Sequence, residues 1–159
     1  MRLVTLLAAG FLALSGCSQW DAIDWQRLST SVERMTEMGA RLAFLNPDVA
    51  AHQEQICFAV ERVATGLGTF EDPDATFEKI RTKAHEIVNA IPSEQLPDNL
   101  KPIVLLVVDQ GLDAAFAYVR EAYEDMLNQE RTQVVLLVAK AAASGLLNAC
   151  SPEPQYLKK

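Results

Sequence analysis

The chain has 159 residues, of which half are hydrophobic, and a formal net charge of −7. This length predicts one main domain with enough apolar residues to form a core. An acidic chain is poorly suited to bind a phosphate backbone, so we do not expect nucleic acid as a partner.

Residues 1–16 predict a secretory signal peptide. Arg2 supplies a positive charge, residues 3–14 are apolar, and Ser15 and Gly16 are small. This combination is typical of signal peptides. The apolar run is shorter than the roughly 20 residues that a permanent membrane helix needs. We therefore expect this segment to be removed.

The end of this segment, Leu14-Ser15-Gly16-Cys17, resembles the lipobox of bacterial lipoproteins. In that class the precursor is cut before the cysteine, whose thiol is diacylated with fatty acids such as palmitate. The resemblance implies lipidation of Cys17 and stable anchoring, because two or three acyl chains hold a protein on a membrane. A secretory signal with a chance cysteine near its cleavage site is the alternative.

The residue after the lipobox cysteine implies a location. An aspartate there tends to retain lipoproteins of this class in the inner membrane, and this chain has Ser18. The resemblance therefore implies the outer membrane of a Gram-negative cell, on its periplasmic face, with the inner membrane or cell surface as alternatives. Residues 17–20 form a very short tether. Trp20 is a candidate for contact with the membrane interface, which indole rings favour, or for helix packing.

Apolar residues recur at steps of three and four through most of residues 21–150. This spacing predicts an all-α antiparallel bundle of about five helices. The expected spans are about 21–45, 47–67, 73–91, 102–128 and 130–149. The last helix is apolar almost all round, which predicts a central position. Residues 151–159, with two prolines, predict a flexible tail.

The first helix of the bundle has a heptad-like apolar stripe. Its members are Trp25, Leu28, Val32, Met35, Gly39 and Leu42. Such a stripe suits packing within the bundle or against a second copy of the chain. Glu37 and Arg41 predict an i,i+4 ion pair on the exposed side.

Cys57 and Cys150 are the two cysteines left after Cys17. In an oxidising periplasm two such thiols most simply form a disulfide. Neither has a histidine three or four residues away, so a metal or catalytic role is not expected. Two separate buried thiols are the alternative.

The sequence offers little catalytic chemistry. His85-Glu86 begins like a zinc-protease helix, but Asn89 stands where the second histidine is required. Neither His85 nor His52 follows a glutamate at the spacing of di-iron bundles. We predict no catalytic, metal or cofactor residues and expect a non-enzymatic protein, with His85 facing solvent. Asp109 and Asp113 are interpreted as part of a solvated acidic edge.

These observations predict an interaction, scaffold or accessory module with an envelope protein as partner. In gross plan the chain is similar to the helical pilotins, which carry secretin subunits to the outer membrane, and equally to accessory lipoproteins of phages or plasmids. This is an analogy of architecture. The alternatives are a carrier with an enclosed apolar cavity for a small ligand or lipid, and a hydrolase with an unrecognised site.

Overall fold

The computed structural model describes residues 24–124 and 131–151. Within these ranges the chain forms six α-helices and no strand, which confirms the all-α bundle. The helices are α1 (Trp25–Ala43), α2 (Pro47–Ala50), α3 (Gln53–Gly68), α4 (Phe77–Ala90), α5 (Lys101–Ala122) and α6 (Arg131–Ala149). The predicted signal peptide, the lipidation site Cys17, the interface candidate Trp20 and the tail beyond residue 151 lie outside the described residues.

Three predicted helix boundaries are wrong. The helix expected over 102–128 ends at Ala122, because the backbone leaves helical geometry at Tyr123. The helix expected over 47–67 is interrupted at His52, where the backbone leaves helical geometry and α3 starts afresh. The predicted start at Asp72 is a turn, in which the Asp72 carboxylate accepts a hydrogen bond from the Asp74 N–H at 2.7 Å. Helix α4 begins later, where the Thr76 hydroxyl accepts a hydrogen bond from the Lys79 N–H. Aspartate therefore stabilises the turn, and threonine supplies the N-cap.

Helix α1 packs against α5 and α6, α6 also packs against α3, and α4 packs against α3 and α5. Helices α5 and α6 are long and apolar enough to cross a membrane by length and composition alone. About half of each apolar stretch is buried inside the bundle. The core helices of soluble bundles have the same composition, so these helices are only a weak indication of membrane insertion.

The buried face of α1 differs from the predicted heptad stripe. Leu28 and Val32 are buried as expected, but Leu42 is 64% exposed, and Thr36 and Ala43 are buried instead. A straight α-helix has 3.6 residues per turn, so its inward face drifts away from a 3.5-residue stripe. Helix α1 thus packs within its own bundle, and the heptad continuation to Leu42 lies outside the core.

Glycines allow α1 to lie in direct contact with its two neighbours. A Cβ atom on Gly39 would overlap the carbonyl oxygen of Gln110 in α5. A Cβ atom on Gly145 of α6 would overlap the carbonyl oxygen of Glu33 and lie 2.7 Å from the Thr36 Cβ. The carbonyl oxygens of Gln110 and Glu33 belong to helix backbones, so they cannot rotate away as the end of a side chain could. The helix crossings therefore require residues without side chains.

An ion pair of α1 binds backbone carbonyl groups at the end of α6. Arg41 Nε donates to Glu37 Oε1 at 2.8 Å, and Arg41 Nη2 donates to the carbonyl oxygens of Asn148 and Ser151 at 2.7 and 3.1 Å. The Glu37 side chain is only 2% exposed, so the prediction that this pair lies on the exposed side is wrong. The guanidinium thus binds one carbonyl in the last turn of α6 and one just after it, where intrahelical hydrogen bonds run out.

The predicted disulfide is present between Cys57 in α3 and Cys150, directly after α6. The Cα atoms are 5.5 Å apart, and the two cysteines are separated by 93 positions in the sequence. Closing a loop of this length lowers the entropy of the unfolded chain, which typically stabilises a fold by about 2–5 kcal/mol.

Replacing Gly145 with alanine is expected to destabilise the bundle, because the new methyl group meets backbone that cannot move aside. Overpacking of this kind typically costs about 1–3 kcal/mol. The measurement is the free energy of unfolding from urea titrations of the wild type and the Gly145→Ala variant.

The matched control is Gly68→Ala at the exposed end of α3. A Cβ atom there has only the Ala143 Cβ within range, at 4.0 Å. Alanine favours the helix over glycine by up to about 1 kcal/mol, so this variant should be as stable as the wild type or more so. Equal effects at the two positions would show that close helix contact is not what requires Gly145.

Candidate functional site

The largest group of charged side chains with mutual contacts lies where α4 faces α5. Arg81 Nη2 bonds to Asp113, and Arg81 Nε lies 3.9 Å from Asp109 Oδ1. His85 Nε2 lies 2.8 Å from the same Asp109 oxygen. Because residues four apart share a helix face, two positions on α4 meet two positions on α5. We call these four residues the charged ladder.

The charged ladder corrects two predictions. His85 was expected to face solvent, but its side chain is 35% exposed and hydrogen-bonded to Asp109. Asp109 and Asp113 were expected to form a solvated acidic edge. Asp113 is 60% exposed, in agreement with that expectation, but Asp109 is only 30% exposed, and both interact with Arg81. The antiparallel pairing of α4 and α5 brings these groups together, and it is not visible in the sequence of either helix alone.

A histidine hydrogen-bonded to a carboxylate is also the orienting half of a nucleophilic triad. Such chemistry needs a hydroxyl or thiol within hydrogen-bond reach of the imidazole. The His85 ring forms its hydrogen bond with Asp109. Residues 24–124 and 131–151 contain no group of three or more side chains that could bind a metal ion. The observed geometry is therefore that of an ion-pair network joining two helices.

A depression of about 750 Å³ lies where the start of α4, the end of α5 and the start of α6 meet. Phe77 lines it and stacks on the buried Phe116, with ring centroids 4.5 Å apart. The Arg120 guanidinium lies 5.6 Å from the Phe77 centroid, within cation–π range. The other lining residues include charges of both signs: Glu78, Glu121, Glu124 and Arg131. We call this depression the Phe77 groove.

A second depression, of about 640 Å³, lies beside the start of α3. His52 lines it and has its Nδ1 atom 3.3 Å from Gln55 Oε1. Phe58 forms part of its wall, with the Arg62 guanidinium 5.1 Å from the ring centroid. Both depressions are open to solvent and bordered by polar side chains. Neither has the enclosed apolar form that a carrier for a small ligand or lipid would need.

Three ionisable groups near these features have shifted pKa values. Hydrogen bonding from the Asp74 N–H and then from Lys79 lowers the pKa of Asp72, in the turn before α4. A hydrogen bond from Lys101 and another from Ser93 lower the pKa of Asp98. These two contributions to stability are present above the ordinary aspartate pKa and are lost as the pH falls.

Tyr123, at the end of α5, shows the opposite direction. Burial raises its pKa most, and a hydrogen bond with Tyr118 raises it further. The two rings meet edge to face, with centroids 6.1 Å apart. Tyr123 lies near Asp24, the residue that caps α1.

Sequence reasoning missed the Phe77 groove. Phe77 lies in phase with the apolar residues Ile80, Ala84 and Ile87 of α4, a spacing that indicates a core position, but its ring is only partly buried and forms the groove wall. One feature of the sequence could have indicated this groove. Phe116 and Arg120 are four residues apart, which puts an aromatic ring and a cation on one face of α5. Their meeting with α4 depends on the tertiary fold.

Comparisons of the chain with protein-family models, with curated proteins and with solved structures found no match. Function is therefore argued from the described contacts and from the sequence.

The hydrogen bond between His85 and Asp109 is expected to stabilise the packing of α4 on α5. A double-mutant cycle of His85→Ala and Asp109→Asn should give a coupling energy of about 0.5–1.5 kcal/mol, since both groups are about a third exposed. The measurement is urea unfolding at neutral pH. The control cycle uses Lys83 and Glu86, an exposed pair 3.6 Å apart, whose coupling should be near zero. Equal coupling in the two cycles would contradict a specific His85–Asp109 interaction.

Proposed function

We propose that this chain is a lipid-anchored envelope protein of a Gram-negative cell, held by Cys17 at the periplasmic face of the outer membrane. Its bundle acts as a scaffold or accessory module that binds a second envelope protein. The leader residues and the lipobox-like Leu14–Cys17 support the anchor. The disulfide between Cys57 and Cys150 supports an oxidising compartment, where such bonds form and persist.

The Phe77 groove is the proposed binding site for the partner protein. Arginine and aromatic side chains dominate the binding energy of protein interfaces, and the groove presents Arg120 over Phe77. Phe77 is fixed by stacking on Phe116, so little side-chain entropy is lost when a partner binds. The surrounding charges of both signs favour a polar, mixed-charge segment of a partner protein and give it orientation.

The rigidity of the bundle also supports a scaffold role. Glycine contacts fix α1 on α5 and α6, and the disulfide connects α3 to the end of α6. A surface on such a frame is formed before the partner arrives. Most pre-organised interfaces change little on binding. The overall plan, a small helical bundle behind a proposed acylation signal, supports an accessory role by analogy of architecture with helical accessory lipoproteins.

Acylation of Cys17 tests the anchor. The full chain is expressed in a Gram-negative host fed an alkyne analogue of palmitate, beside a Cys17→Ala variant. The wild type should carry the label and lose the first 16 residues, and the variant should carry none. Mass spectrometry of the N-terminal peptide gives the answer. An unlabelled wild type, or label retained by Cys17→Ala, would contradict the lipoprotein assignment.

Capture from crosslinked envelopes tests the docking role. The full chain should recover one dominant partner protein in stoichiometric amount, identified by mass spectrometry. An Arg120→Glu variant should recover at least about tenfold less, because an interface hot spot contributes about 2 kcal/mol or more. The control variant Lys83→Glu, on the exposed side of α4, should recover it unchanged. Recovery that is unaffected by Arg120→Glu, or of lipids alone, would count against docking in the Phe77 groove.

A further inference from the structure

The outward face of α1 carries a line of exposed apolar side chains. Met38 is 51% exposed, Leu42 is 64% exposed, and Leu45, in the turn after the helix, is 77% exposed. Steps of four and three place the three on one side of the helix. Helix α1 packs against α5 and α6 through its opposite side. These side chains are therefore available to something outside the bundle.

The same face carries positive charge. Arg27 and Arg34 are exposed, and their spacing aligns them with Met38 and Leu45. The two glutamates of α1 point toward α6 instead: Glu33 accepts a hydrogen bond from Asn148 Nδ2 at 2.7 Å, and Glu37 is buried against Arg41. At the start of α1 the Asp24 carboxylate is bonded to the helix N–H of Arg27. In a chain of net charge −7, this face is both basic and apolar.

We infer that this face of α1 lies on a phospholipid surface that contains anionic lipids. A helix with apolar side chains and arginines on its exposed side binds in the headgroup region, with the apolar groups at the edge of the acyl chains. Arginine extends along the apolar layer and places its guanidinium among the phosphates. Anionic lipids attract each such cation. The net negative charge of the chain disfavours contact with anionic lipids through its acidic parts.

Chain connectivity supports the same surface if Cys17 carries the proposed lipid anchor. Only residues 18–23 separate Cys17 from Asp24. When extended, this stretch reaches at most about 24 Å. A lipidated Cys17 would therefore hold α1 within reach of the bilayer. None of the residues that line the Phe77 groove belongs to α1.

The test places a nitroxide label at Leu42→Cys and, as a matched control, at Lys83→Cys on α4. Both chains start at residue 17 and carry Cys17→Ser, so neither the apolar leader nor acylation contributes to binding, and the disulfide occupies the other cysteines. The chains are floated with vesicles of phosphatidylethanolamine and phosphatidylglycerol. Electron paramagnetic resonance then compares collisions of each label with oxygen, which enters lipid, and with a nickel chelate, which stays in water.

The expected result is a ratio of oxygen to nickel collisions several times higher at residue 42 than at residue 83. Replacing Arg27 and Arg34 with glutamate should weaken binding by about fivefold or more for each position. It should also return the residue 42 label to water. The chain with both arginines should bind vesicles of phosphatidylcholine alone more weakly than vesicles that contain phosphatidylglycerol.

Three results would overturn the inference. Equal nickel access at residues 42 and 83 would show that α1 faces water. A residue 42 label shielded from both reagents would show that protein, such as a second copy, covers the face. A failure to float would show that the chain has no affinity for these lipids. Acylation at Cys17 is judged separately by the alkyne label, so failure of the anchor and failure of this inference are distinguishable.

Discussion

The rest of the structure depends on the contact of helix backbones around Thr36. Gly39 and Gly145 leave no side chain between α1 and its neighbours, and Gly111 of α5 lies beside the same threonine. Close packing of this kind leaves little freedom to shift or rotate a helix, because interiors are packed as densely as organic crystals. The angular position of α1 is therefore fixed. Everything that α1 presents, inward or outward, follows from that position.

Two consequences appear on opposite sides of the same helix. Inward, Glu37 is buried and holds Arg41 against the last carbonyls of α6. A buried ion pair is weak evidence for added stability, since removing two charges from water is costly, but such pairs can favour one arrangement over others. Outward, the apolar residues Met38 and Leu42 are left in solvent. A rotation of α1 that covered them would break the Arg41 contacts and force side chains into the glycine crossings.

The sequence was sufficient for the helical class and the disulfide, because these follow from local periodicity and from a count of two cysteines. The prediction that Leu42 is buried was wrong, because a heptad stripe and the face of a helix with 3.6 residues per turn diverge by about 20° per heptad. The sequence failed at His85 because the partner, Asp109, lies on another helix, and the register of α4 on α5 is a property of the whole fold. The Asp72 turn was mistaken for a cap because aspartate serves both purposes.

The order of contacts along the chain has a further consequence. Helix α1, the first of the described bundle, packs against α6, which is the last. The disulfide of Cys57 also requires Cys150, which directly follows α6. A ribosome delivers the N-terminus first, so α1 can complete its packing only after α6 has been synthesised. Contacts between distant parts of a chain also form slowly. The packing of α1 therefore depends on the contacts that span the greatest distance along the described bundle.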